Sequence, residues 1–114
     1  MKIQNIAEKI VYSEEKLTKR ILFNEEEKVL NFILNFKPGQ GVPPHQHDDS
    51  TLIVQVLFGQ GELTIDEKSQ NVVQGDVIYC QGQEYFSIKN IGDKDMSLFV
   101  VIAPNHNPDF AKEV

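Results

Sequence analysis

The strongest constraint on this chain is its succession of short alternating segments closed by turn residues. Thr51 to Phe58 places Leu52, Val54, Val56 and Phe58 on one face and Thr51, Ile53, Gln55 and Leu57 on the other. Alternation with a period of two marks a strand, because successive side chains point to opposite faces of a sheet. Lys28 to Phe36 repeats the pattern. Leu30, Phe32, Leu34 and Phe36 make a wholly apolar face, and Val29, Asn31, Ile33 and Asn35 a mixed one, which predicts a half-buried strand. Further strand segments run from Lys16 to Phe23, Glu62 to Ile65, Val72 to Val73, Asp76 to Cys80, Tyr85 to Asn90 and Met96 to Ala103. Gly39, Gly59, Gly61, Gly75 and Gly82 fall between segments, where the backbone turns sharply. Roughly eight or nine strands at this spacing predict an all-β sandwich or barrel. The ends are less patterned. Asn5 either caps one helical turn or opens a short edge strand, and Asn107-Pro108 reads as the cap and first position of a short terminal helix.

A length of 114 residues suits a single domain, residues 1–114. The net charge of −6 disfavours nucleic acid and anionic membranes as partners, since both call for clustered Lys and Arg. Lys16, Lys19 and Arg20 are the lone basic cluster and read as a solvated strand surface. Cys80 is the single cysteine and cannot form an internal disulfide. No apolar run reaches about 18 residues and no signal-peptide pattern opens the chain, so a soluble, cytoplasmic protein is expected.

The chemistry concentrates in Pro38-Gly39-Gln40-Gly41-Val42-Pro43-Pro44-His45-Gln46-His47. In an extended segment, His45 and His47 lie on one side, and imidazole suits Zn, Cu, Fe and Ni. Gln55, Cys80, Glu84 and His106 are the residues that would complete a metal site; for His106, near the end of the chain, a surface role is the simpler reading. Cys80 reads as a small buried hydrophobe, with no cationic neighbour in sequence to activate its thiol. No nucleophile elbow and no phosphate-binding loop is present.

Together these features resemble the small single-domain cupins of the conserved-barrel type, whose fold is a double-stranded β-helix or jelly roll. The first motif of that family reads G-x5-H-x-H-x(3,4)-E-x6-G, and Gly39, His45, His47 and Gly59 match it. The second reads G-x5-P-x-G-x2-H-x3-N, and Gly75 and Asn90 match it. The resemblance covers a barrel core of about residues 30–103. A metal-binding cupin takes two His and a Glu from the first motif and a His from the second. Here the Glu position is Leu52, beside Thr51, and the second-motif His position is Phe86; the family's Pro and Gly stand as Gln81 and Gln83. The resemblance therefore implies a degenerate site. It predicts a small-molecule cup lined by Leu52, Val54, Phe86 and Ile88. A divalent metal (Zn, Ni, Fe or Mn) would be held weakly on His45 and His47, in a sensing or accessory role. One alternative is a dioxygenase, isomerase or decarboxylase acting on a small organic acid through a non-standard third ligand. Another is a structural barrel whose interior is filled by Leu52, Phe86 and Phe58. A homodimer is expected, formed through the first 14 residues or the Phe32-Leu34-Phe36 face.

Overall fold

Two antiparallel sheets close over one apolar interior, and a computed structural model describes residues 1–114. The strands are β1 (Thr18–Glu25), β2 (Val29–Phe36), β3 (Gly41–His45), β4 (Thr51–Phe58), β5 (Gln60–Ile65), β6 (Lys68–Val73), β7 (Val77–Cys80), β8 (Phe86–Asn90) and β9 (Met96–Ala103). One sheet has the order β1-β2-β9-β4-β7, the other β3-β8-β5-β6. Single 3₁₀ turns stand at Ile6–Lys9 and Pro108–Ala111, capped by Asn5 and Asn107. The all-β architecture expected from the alternation, and the jelly roll implied by the resemblance, are thus the observed fold.

The core forms because each strand turns its apolar face inward. Leu52, Val54 and Val56 of β4 meet Phe86 and Ile88 of β8, with Leu30, Phe32, Leu34 and Phe36 of β2 in the same cluster. Burying a side chain of this size contributes about 1.5–3 kcal/mol. The apolar face of β2 therefore lies inside and offers no surface for a second copy.

Two expectations need correction. Strand β2 is buried on both faces from Leu30 to Phe36, not half-buried. Its outer asparagines are absorbed by hydrogen bonds. Asn31 donates to the Val100 carbonyl at 2.9 Å. Asn35 donates to the Lys9 carbonyl at 2.9 Å and to Thr18 Oγ1 at 3.1 Å, and accepts from Ser97 Oγ at 2.7 Å. Tyr12 reaches the same Ser97 hydroxyl at 2.6 Å. Residues 9–12 thus lie back along their own sheet, satisfying buried polar groups that would otherwise cost about 1–3 kcal/mol each. The second correction is Phe58. The pairing of β4 with β9 slips between Val56 and Phe58, and this bulge turns Phe58 outward to 46% exposure. It cannot fill the barrel.

The segment leading into the histidines is itself a strand, β3, at the edge of its sheet; it ends at His45, and His47 lies just beyond it. Beyond it the backbone is clamped onto the turn before β8: the His47 amide donates to the Gly82 carbonyl at 2.9 Å, and Gln46 Nε2 to the Gln83 carbonyl at 2.7 Å. This approach requires a glycine at 82, because a Cβ there would stand 2.0 Å from the Asp48 carbonyl oxygen and 2.6 Å from that of Ser50. Gly75 differs, with a φ of +95° and open space around it. We expect Gly82→Ala to lower stability in urea denaturation by about 2–3 kcal/mol through forced backbone displacement. Gly75→Ala should cost about 1–2 kcal/mol, from the left-handed backbone alone.

Candidate functional site

At one mouth of the barrel lies a cavity of about 160 Å³, with eleven hydrophobic residues among its fourteen lining residues. Leu52 and Val54 come from β4, Phe86 from β8, Val100 and Ile102 from β9, and Phe110 from the terminal 3₁₀ turn. The three remaining lining residues are His45, His47 and Lys19. Larger hollows elsewhere, such as that bordered by Asp66, Glu67 and Tyr85, are grooves with only one to three apolar lining residues.

The two imidazoles converge. Their Nε2 atoms are 3.1 Å apart, and the rings meet edge to face with centroids 4.5 Å apart. The hydrogen bonds assign their tautomers. His45 Nδ1 lies 2.7 Å from the Pro43 carbonyl, which only accepts, so Nδ1 carries the proton. His45 Nε2 is then a bare acceptor, and His47 Nε2 must donate to it. That leaves His47 Nδ1 without a proton, and it is the one buried side-chain nitrogen or oxygen with no hydrogen-bond partner. His47 is 4% exposed, and its pKa is pushed down to about 4 by burial first, then by the neighbouring His45 and Lys19. The ring of Phe110 covers it at a centroid distance of 5.0 Å.

Lys19 is the residue that sequence reasoning misses, because its charged neighbours suggest a solvated cluster. Its ammonium donates to the Phe110 carbonyl at 3.0 Å and sits 4.7 Å above the Phe32 ring. Burial lowers its pKa. The available signal is its place between Leu17 and Ile21 at a period of two, since both neighbours pack against the core.

The other candidates are dispersed. Gln55 points outward from β4, exposed, on the opposite face from Leu52 and Val54. Cys80 is fully buried in the core and its thiol, pushed up to about 11 by burial and by Glu84, donates to the Gln81 carbonyl. Glu84 accepts from the Gln81 amide at 2.7 Å. None of the three lines the cavity. His106 pairs with the Glu27 carboxylate at 2.7 Å on the surface. Ile88, expected in the lining, is instead a core residue outside it.

The donor set does not fit a resident metal. Two imidazole nitrogens are within reach of one ion, but no group of three or more His, Cys, Asp or Glu side chains exists to hold it. The wall beside them is Leu52 and Phe86, and the nearby ammonium of Lys19 opposes any cation.

A protein-family model described as Cupin domain matches residues 32–102. A Thermotoga maritima protein described as an oxalate-binding protein is 30% identical over 69 residues, covering 60% of this chain and 57% of that protein. The chain thus matches little more than half the length of that relative. Among solved structures, a Thermus thermophilus protein superposes with a TM-score of 0.85 at 24% identity, covering 92% of this chain and 99% of that one. An RmlC-like cupin from Desulfovibrio desulfuricans gives 0.81 at 26% identity, covering 92% and 98%. A predicted oxalate decarboxylase from Thermotoga maritima gives 0.72 at 28%, covering 75% and 78%.

The depressed pKa of His47 has a signed consequence. The unfolded chain takes up this proton near pH 6.5 and the folded one only near pH 4. The stability held by neutral His47 is therefore complete above pH 6.5 and is lost as pH falls from 6.5 towards 4. We expect urea denaturation to show a loss on the order of 2 kcal/mol across that window. His47→Gln should flatten it.

Proposed function

The chain belongs to the cupin family, and on that footing we propose that its barrel serves as a small-molecule-binding cup in a sensing or accessory metabolic role. The supporting observation is the partly enclosed, largely apolar cavity whose lining holds three polar residues, His45, His47 and Lys19. Ligand sites have this character: an apolar wall for affinity and a few placed polar atoms for orientation. Leu52 and Phe86, which replace donors, turn the cup from a coordination shell into a dry pocket. The cavity also weighs against a barrel filled by its own side chains.

A metal-dependent oxygenase, isomerase or decarboxylase would need a third protein ligand and an open coordination position. With His45 and His47 alone, a divalent ion would be held loosely and exchange freely. Dialysis against a chelator should therefore leave the melting temperature unchanged within about 1 °C, because only a tightly held ligand adds stability by mass action. A thermal-shift screen of compounds small enough for the cup should yield stabilising ligands, and their effect should shrink in the Val54→Ile, Val100→Ile double variant. A full equivalent of metal whose removal lowers the melting temperature would favour the enzyme reading instead.

We place the expected homodimer on the outer face of β4 and β7, where Ile53, Val77 and Tyr79 are exposed together. An apolar outer face beside an edge strand is a surface that proteins ordinarily cover. Light scattering at micromolar concentration should give twice the chain mass of 13.0 kDa, and Tyr79→Lys should return it to one. No helix is long and apolar enough to cross a membrane.

A further inference from the structure

We infer that the ligand of the cup is a singly charged carboxylate with a compact apolar body, bound by Lys19 Nζ with no metal between them. This ligand class rests on the reading of the cavity as a binding site.

Lys19 supplies the cavity's only ammonium, and no side-chain carboxylate pairs with it. An ammonium carries three donors, and the Phe110 carbonyl at 3.0 Å takes one. The face of Phe32 at 4.7 Å offers charge attraction but no hydrogen-bond acceptor of ordinary strength. An ammonium drawn out of water without a counter-ion is costly, and an incoming anion relieves that cost. The two histidines do not compete for the role. Their protons are committed to the Pro43 carbonyl and to each other.

The rest of the wall sets the ligand's other end. Leu17, Phe32, Leu34, Val42, Leu52 and Val54 are part of a lining that offers a second carboxylate nothing to pair with. A dianion would bury one charge unpaired, so a monoanion is selected over a dicarboxylate such as oxalate. The cavity of about 160 Å³ corresponds to about five waters at ~30 Å³ each, which limits the ligand to a short, compact body. Lys19 and Phe110 are joined by a hydrogen bond, so the carboxylate would lie beside Phe110 with the apolar body against the rest of the wall.

Calorimetric titration with three probes tests this: isovalerate, its neutral isostere isovaleramide, and oxalate. We expect isovalerate to bind about tenfold or more tightly than either of the others, unaffected by chelator. Lys19→Met should weaken isovalerate far more than isovaleramide and so abolish the preference for the acid, and Lys19→Arg should restore the preference in part. The wild-type acid-to-amide ratio stands even if Lys19→Met fails to fold. Equal binding of acid and amide, preference for oxalate, or loss of isovalerate binding on chelation would each overturn the ligand class while leaving the cup as a binding site. Binding of none of the three would overturn both.

Discussion

A strand held on both edges cannot roll about its axis, and β4, bonded to β9 on one side and β7 on the other, is such a strand. Its alternation is therefore rigid: Leu52, Val54 and Val56 must enter the barrel, and Ile53 and Gln55 must leave it. The same rule acts across the interior on β8, where Phe86 and Ile88 enter. The chemistry of the cup follows from which residue types occupy those inward positions. Two of them are a leucine and a phenylalanine where the family's metal-binding members place donors. No adjustment of side chain could bring Gln55 to the histidines without breaking the pairing of the sheet.

Within that dry wall the three polar groups form an ordered set. The Pro43 carbonyl fixes the proton of one imidazole, and that imidazole fixes the proton of the other. Burial keeps His47 neutral. Lys19 stands beside them as the charged member, steadied by a carbonyl and an aromatic face. The ammonium beside the imidazole pair opposes a cation and favours an anion. Electrostatics and donor count thus point the same way, although they arise from different strands.

Much of this is legible in the chain. The period-two runs locate the strands. The spacing of Gly39, His45, His47, Gly59, Gly75 and Asn90 carries the resemblance to the family, and it is that resemblance, not the spacing by itself, that implies Leu52 and Phe86 stand where metal-binding members place ligands. The misses have distinct physical causes. Phe58 continues the inward pattern in sequence, but a bulge, invisible to periodicity, rotates it out. Asn31 and Asn35 look solvent-facing because their burial depends on hydrogen bonds to distant backbone and on residues 9–12. Lys19 is hidden by its type: a lysine among charged neighbours reads as surface, and only its alternation with Leu17 and Ile21 hints otherwise. Phe110 gives no signal at all, since its position over His47 depends on the chain's return after β9.

Strand β3 carries Pro43 and Pro44 at the free edge of its sheet. Two consecutive residues there have no amide hydrogen to offer, so a foreign strand finds no ladder to extend. The edge strand that leads to the histidine pair is thereby a poor template for an added strand. The residue whose carbonyl orients His45, Pro43, thus also helps to blunt the edge on which that histidine stands.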